Sequence, residues 1–175
     1  MALKIGAMDR GAPIASPEVL YAHAIAIERE AAERYAELAE RMADLGNDEV
    51  ADVFRRLAKF EAAHLKTLQS RTEGVAVPAI APGLYAWLDA DGPETPAREF
   101  VFRLLTPRSA LAIALEAERR AEHFFADVRK SARDPALRAL AAEMQAEEQD
   151  HIAMVLRALS QAPAERVDWA AVLGD

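Results

Sequence analysis

Apolar positions recur every three or four residues in four long stretches of the chain, which is the period of an amphipathic α-helix. A capping Ser, Asn, Thr or Asp stands just ahead of each stretch, and Pro follows three of these caps. The sequence therefore predicts four helices, over about 17–43, 48–70, 107–132 and 135–160.

The connections between these helices differ in length. Few residues separate the first helix from the second or the third from the fourth, so each pair is expected to form an antiparallel hairpin. Residues 72–106 are interrupted by Pro and Gly, and only 95–105 resemble a short helix. The predicted fold class is all-α, a ferritin-like four-helix bundle of two antiparallel hairpins joined by a long crossover. The bundle occupies 17–160, between an N-terminal extension (1–16) and a C-terminal tail (161–175).

Composition narrows the classes of function. The 175 residues carry a net charge of -8, which argues against nucleic acid or an anionic membrane surface as a partner. The absence of Cys excludes disulfides, thiolate metal sites and iron–sulfur clusters. Neither a secretory signal nor an apolar run long enough for a bilayer is visible, so a cytoplasmic protein is expected.

Two Glu-x-x-His motifs occupy corresponding places in the two hairpins. Glu61 and His64 lie on the second helix and Glu148 and His151 on the fourth, at an offset of 148 − 61 = 87. Residues three apart share a helix face, so the carboxylate can bridge two metal ions while the imidazole binds one of them. Both motifs interrupt an apolar stripe, where a carboxylate is costly unless it is paired or metal-bound. Buried salt bridges are the alternative interpretation.

The remaining helices supply one carboxylate each through an internal repeat. The residues around Glu28 (Ala-Ile-Ala-Ile-Glu-Arg-Glu) resemble those around Glu116 (Ala-Ile-Ala-Leu-Glu-Ala-Glu), at an offset of 116 − 28 = 88. Arg119 and Arg120 follow on a similar face and would not help to bind cations unless they point away or pair with acids. Glu118 is a less favoured substitute for Glu116.

These residues together predict a site for two metal ions. Its six ligands are Glu28, Glu61, His64, Glu116, Glu148 and His151. The same set of ligands characterises ferritin-like di-iron proteins, and four carboxylates offset the charge of two divalent ions. Carboxylate and imidazole ligands suit iron, with manganese or zinc as alternatives. Two iron ions per chain are the predicted cofactor.

The segment from Glu28 to Tyr35 (Glu-Arg-Glu-Ala-Ala-Glu-Arg-Tyr) and the two Glu-x-x-His motifs resemble the rubrerythrin branch of the ferritin-like superfamily, over about residues 17–160. The resemblance implies that Glu28 and Glu116 are terminal or semi-bridging ligands, that the two motif glutamates bridge, and that the two motif histidines are terminal. It also implies that Tyr35 donates a hydrogen bond near the metals, with a purely structural core aromatic as the alternative.

Three departures from that family affect the expected function. Full-length rubrerythrins carry a Cys-rich rubredoxin-like module, and since this chain has no Cys its electron donor is expected to be a separate protein. Arg119 stands where those enzymes have an additional Glu, which argues against peroxidase activity of the usual type. His123 stands where symmetry with Tyr35 predicts an aromatic residue, so it is a candidate extra ligand or proton donor, or else an ordinary half-buried His. His23 is assigned only a surface or packing role.

The function predicted from these features is an oxidoreductase that reduces peroxide or dioxygen with electrons from a separate donor. A ferroxidase or iron-storage protein, assembled as a hollow cage, is the first alternative. A non-enzymatic, metal-stabilised sensing or scaffold bundle is the second. The family resemblance further implies a homodimer.

Overall fold

The structure is a computed structural model that describes residues 14–80 and 106–162. Within these ranges it contains four α-helices and no strand: α1 (Pro17–Asp44), α2 (Asp48–Arg71), α3 (Pro107–Ser131) and α4 (Pro135–Gln161). The predicted helices are confirmed, with limits that agree to within one residue. The short helix predicted over 95–105 lies outside the described residues.

The helices begin where capping side chains satisfy their first backbone N–H groups. The Ser16 hydroxyl accepts from the N–H of Val19, and an Asp134 carboxylate oxygen accepts from that of Ala136 at 2.7 Å. Thr106 and Ser109 form a reciprocal capping box at the start of α3. Each such cap contributes about 1 kcal/mol to helix stability, so the cap signals in the sequence fix the helix starts.

The helices form two antiparallel hairpins, since α1 packs along α2 and α3 along α4. At the end of α1 the N–H groups of Gly46 and Asn47 donate to the carbonyls of Ala43 and Met42, both at 2.9 Å. Gly46 has a φ of +71°, a left-handed conformation that disfavours residues with a Cβ. This turn closes the first hairpin, and the predicted four-helix bundle is confirmed.

Two apolar cores fill the bundle, one towards each end. The first core includes Tyr35, Leu38, Met42, Phe54, Leu57, Leu111 and Val155. The second core includes Leu20, Ile27, Leu68, Phe125, Leu137 and Met144. On each helix a buried glutamate lies between these two cores: Glu28 on α1, Glu61 on α2, Glu118 on α3 and Glu148 on α4. The cores therefore enclose a polar layer half-way along the bundle.

Two further observations bear on the predictions. His23 is buried with its ring centroid 5.6 Å from that of Phe124, as a packing role requires. None of the described helices combines the length and apolar character that crossing a bilayer requires.

Candidate metal centre

The polar layer contains four buried carboxylates, one from each helix. Glu28 on α1 is 1% exposed, Glu61 on α2 is 2%, and Glu118 on α3 and Glu148 on α4 are each 3%. A buried carboxylate is tolerated only when it is protonated, paired or bound to a cation. Four of them in one layer therefore require compensating positive charge or bound protons.

His151 lies among three of these carboxylates. Its Nδ1 atom is 3.0 Å from an oxygen of Glu61, 3.4 Å from one of Glu118 and 3.7 Å from one of Glu148. The carboxylates come from three different helices, so a single imidazole nitrogen faces oxygens of both hairpins. An ion bound at this nitrogen would tie the hairpins together.

His64 occupies the corresponding place on the other side of the layer. Its Nδ1 atom is 3.7 Å from Glu28 Oε2 and 3.9 Å from Glu147 Oε2, and its ring stacks on that of His151 at 5.4 Å. The His64 side chain is 22% exposed, whereas that of His151 is 5% exposed. The two halves of the layer therefore differ in their access to solvent.

The donor atoms of this layer fit metal ions. Within the described ranges they form three groups whose atoms lie within 4.8 Å of one another. The groups are Glu61–His64–His151, Glu28–His64–Glu147 and Glu118–Glu148–His151. The Nδ1 atoms of both histidines and one oxygen each of Glu28 and Glu61 are buried without a hydrogen-bond partner. Buried polar atoms are nearly always paired, so unpaired ones that converge on a common point suit a bound cation.

The structure corrects the ligand chosen on α3. Glu116 is 61% exposed and forms a surface ion pair with Arg119 at 3.1 Å, so it does not reach the cluster. Glu118, the substitute that the sequence disfavoured, lies inside it. Arg119 and Arg120 are exposed on the face that carries Glu116, which removes the difficulty of cations beside a metal site.

The same correction explains His123. Its side chain is 77% exposed and lies 3.4 Å from Asp127, so the structure does not place it near the cluster as a ligand or proton donor. With Glu118 as the counterpart of Glu28, the offset between hairpins is 118 − 28 = 90, and Tyr35 corresponds to Phe125. Phe125 is fully buried. The aromatic residue that symmetry requires is therefore present two positions after His123.

Tyr35 lies beside the cluster, as expected. It is 1% exposed, and its hydroxyl donates a hydrogen bond to Glu118 Oε1. Its ring also packs 5.9 Å from that of Phe54. Tyr35 thus forms part of the first apolar core and also joins α1 to the carboxylate of α3.

A narrow cleft between α1 and α3 leads to the carboxylates. Its lining includes the small side chains of Ala31, Ala117 and Ala121, together with Arg34 and Glu118. It has room for about one water-sized molecule. The cleft therefore reaches the cluster from the side of α1 and α3, whereas the two histidines come from α2 and α4.

Comparisons with known proteins agree with this geometry. No curated protein matches the chain. A sequence model described as Rubrerythrin matches residues 19–82, which include most of α1, all of α2 and the cluster residues Glu28, Glu61 and His64. The crystal structure of an uncharacterized conserved protein from Magnetospirillum magnetotacticum MS-1 is 30% identical, with a TM-score of 0.75 over 87% of this chain and 99% of that one. The chain belongs to the rubrerythrin family.

Two features of these 175 residues differ from the pattern of the rubrerythrin family. They contain no Cys, so no rubredoxin-type module lies within them. Counted from Glu118, the position one turn further along α3 is Ala121, which lines the cleft. The additional carboxylate that the family resemblance implies on α3 is therefore missing after the correction as well.

The electrostatics of the rubrerythrin-type cluster depend on bound protons when no metal is present. Burial, and then the neighbouring Glu61, raises the pKa of Glu28 to about 12. Burial likewise raises the pKa of Glu148 well above its usual range. Burial alone would lower the pKa of His151, but its contacts with Glu118, Glu148 and Glu61 outweigh this and raise the pKa far above the usual range. Protons therefore neutralise the cluster, and a metal ion must displace them.

Sequence reasoning ranked Glu118 below Glu116 and missed Glu147 altogether. Glu118 could have been found from helix phase, because it continues the buried stripe Leu111, Ala114, Leu115 at intervals of three and four residues. No pattern in the sequence identifies Glu147, because its approach to His64 depends on how the two hairpins pack.

Proposed function

We propose that this protein is a di-iron oxidoreductase that reduces peroxide or dioxygen with electrons from a separate donor protein. The observation that carries the proposal is the convergence of four buried carboxylates, one from each helix, on two imidazole nitrogens that lack hydrogen-bond partners. Such a donor set suits iron, and manganese or zinc are the alternatives that metal analysis would identify.

The chain offers a nearly symmetric division of the ligands. Glu28 and His64 would hold one ion, and Glu118 and His151 the other, with the carboxylates of Glu61 and Glu148 between them. When bound, two ferrous ions supply the two electrons that, with two protons, convert one hydrogen peroxide to two waters, and the separate donor protein then restores the ferrous state.

Tyr35 has two roles in this proposal. Burial, followed by the adjacent Glu118 carboxylate, raises the pKa of Tyr35 well above its usual value, so the hydroxyl keeps its proton at neutral pH. The hydroxyl therefore acts as a hydrogen-bond donor and orients Glu118. It also keeps a proton within the polar layer, where the reduction of an oxygen species consumes protons.

The cleft between α1 and α3 supports a small substrate. Its capacity of about one water-sized molecule is far too small for an organic substrate, so a substrate of two heavy atoms such as peroxide or dioxygen is the largest that comes near to fitting it. Its lining is mostly apolar, with Ala31, Ala117 and Ala121 along the walls, so bulk water is kept from the carboxylates. Exclusion of water protects a reactive site from side reactions.

The test is to load the metal-free protein anaerobically with two ferrous ions per chain and to mix it with one equivalent of hydrogen peroxide. We expect both ions to be oxidised within seconds to minutes, followed by optical absorption, and to be reduced again by a supplied electron donor. The Glu61→Ala/Glu148→Ala variant should bind less iron and is the control. No oxidation of bound iron within minutes would contradict the proposal and favour a non-enzymatic, metal-stabilised bundle.

The mass of the assembly in solution separates this function from iron storage. We propose a homodimer, which light scattering can measure. A hollow many-subunit cage that continues to accumulate iron beyond two ions per chain would instead indicate a ferroxidase and storage protein.

A further inference from the structure

The two halves of the metal centre are not equivalent, although the chain repeats internally. The offset of 87 that relates the two Glu-x-x-His motifs also relates Phe60 to Glu147, the residues that immediately precede Glu61 and Glu148. The aromatic ring of Phe60 lies beside His151, with the ring centroids 6.1 Å apart. A carboxylate therefore faces one histidine of the centre where an aromatic ring faces the other.

Glu147 brings an unpaired oxygen to the His64 side. Its side chain is 30% exposed, yet the Oε2 atom is buried and has no hydrogen-bond partner. Oε2 of Glu28, whose side chain is only 1% exposed, and Nδ1 of His64 are also buried and unpaired. These three atoms lie within 4.8 Å of one another. Three unsatisfied polar atoms facing one another require a common partner.

We propose that Glu147 is a ligand of the metal ion held by Glu28 and His64, and that the ion held by Glu118 and His151 has no counterpart to it. The proposal rests on the di-metal site of the proposed function and adds a seventh protein ligand to it. The two metal positions then differ in charge and in ligand number.

The distances distinguish a ligand from a residue that only orients His64. Ligand bonds of about 2.0–2.2 Å place neighbouring donor atoms around one ion about 3 to 4 Å apart. Glu147 Oε2 is 3.9 Å and Glu28 Oε2 is 3.7 Å from His64 Nδ1. An acceptor that oriented the ring of a bound His64 would face its other nitrogen, Nε2. Glu147 faces Nδ1, the same nitrogen that faces Glu28.

The asymmetry has a direct consequence for metal binding. The Glu28–His64 position gains an anionic oxygen and is partly open to solvent through His64, which is 22% exposed. The other position lies around His151, which is 5% exposed and lies beside Phe60. Removal of the Glu147 carboxylate should therefore weaken one ion and leave the other in place.

The test is a titration of the metal-free protein with Co²⁺, in competition with a chromophoric chelator and followed by visible absorption. We expect the wild-type protein to bind two ions. Glu147→Gln should bind one ion at least about tenfold more weakly and the other with an affinity within about twofold of the wild type. The visible bands of the weakened Co²⁺ ion should also change, because its ligand set has changed.

Asp150→Asn is the matched control, since it makes the same charge change at an exposed position of α4. It should leave both affinities and the spectrum unchanged. If Glu147→Gln binds both ions as tightly as the wild type, loses no more affinity than Asp150→Asn, or leaves the bands of the weakened ion unaltered, Glu147 is not a ligand. A wild-type protein that binds no pair of ions would instead contradict the proposed function.

Discussion

Glu116 and Glu118 are two positions apart on α3, and an α-helix turns this separation into about 200° of rotation. One side chain is consequently 61% exposed in an ion pair with Arg119, while the other is 3% exposed beside Tyr35 and His151. Both residues are glutamates with the same chemistry, so residue type cannot tell which of them is the ligand. The position of each around the helix axis decides it.

Substitution of these two glutamates tests the assignment on α3. Glu118→Gln should reduce the retained Co²⁺ from two ions to about one per chain after dialysis, because it removes an anionic ligand and alters the group that Tyr35 orients. Glu116→Gln should retain both ions and is the matched control. Loss of an ion from Glu116→Gln, with none from Glu118→Gln, would restore the choice made from the sequence. Elemental analysis of the dialysed proteins gives the answer.

For single residues, the sequence predicts a ligand reliably where a motif determines which face of the helix carries it. Each Glu-x-x-His pair fixes its own helix face, and the structure places both pairs in the cluster. The prediction of Glu116 rests instead on the similarity of the residues around it to those around Glu28. Such a similarity does not show which side of the helix a residue faces. The run Glu116, Arg119, Arg120, His123 follows intervals of three and four residues and is the solvated face of α3. Recognising that charged stripe would have pointed to Glu118.

The lengths of the helices explain why the internal repeat matched Glu28 with Glu116 and not with Glu118. From its cluster residue to its end, α1 runs from Glu28 to Asp44, whereas α3 runs from Glu118 to Ser131. The first arm is longer by three residues, close to one helical turn. An insertion of nearly one turn keeps the carboxylate facing inward but shifts the register of the repeat. From the start of the helix to its motif glutamate, α2 (Asp48 to Glu61) and α4 (Pro135 to Glu148) are equally long, which is why the Glu-x-x-His offset was reliable.

The helix limits themselves could be predicted because they depend on local chemistry. Ser16, Thr106 and Asp134 cap helices through their own side chains, and Gly46 ends one through its backbone conformation. The packing of one hairpin on the other depends on contacts distant in sequence. That packing brings Glu147 to His64 and Tyr35 to Glu118, neither of which a local pattern can specify.

Gly46 provides a test at the level of the first hairpin. Gly46→Ala should lower the free energy of unfolding by about 1–2 kcal/mol, because its φ of +71° disfavours a residue with a Cβ. Apart from Gly46 and its two chain neighbours, no atom of the described residues lies within 4 Å of the added Cβ, so the cost comes from the backbone conformation and not from a clash with the packing around it. Urea unfolding followed by circular dichroism measures it. Leu45→Ala, at an exposed neighbouring position, should cost less, and equal losses for both variants would contradict the explanation.

In the whole molecule, a charged layer separates two apolar cores, and its charge must be neutralised by protons or by metal. The raised pKa values of Glu28, Glu148 and His151 mean that the metal-free folded protein holds protons that the unfolded chain releases. The lowered pKa of Glu61 adds no pH dependence near neutral pH, because this group is ionised there in both the folded and the unfolded state. Burial lowers the pKa of His64, which affects stability only below its usual range.

The stability of the metal-free protein should therefore fall as the pH rises from 7 to 9. A group whose pKa is raised in the folded state stabilises the fold below its unfolded pKa, and this contribution is lost as the pH rises towards the folded pKa. Each extra proton held by the folded state gives a slope of about 1.4 kcal/mol per pH unit. Urea unfolding at a series of pH values measures that slope.

Two controls, the metal-loaded protein and a variant, distinguish the loss of bound protons from a general effect of alkaline pH on stability. Bound metal replaces the protons, so the loaded protein should show little decline over the same range, and its loading should release protons into a weakly buffered solution. In the metal-free Glu28→Gln/Glu148→Gln variant, two of the groups that bind protons are gone and the slope should be shallower. A free energy of unfolding that stays constant or rises from pH 7 to 9 in the metal-free wild type would mean that protons do not neutralise the layer. In that case the two hairpins would have to rearrange in the metal-free protein, so that the four carboxylates are exposed to water.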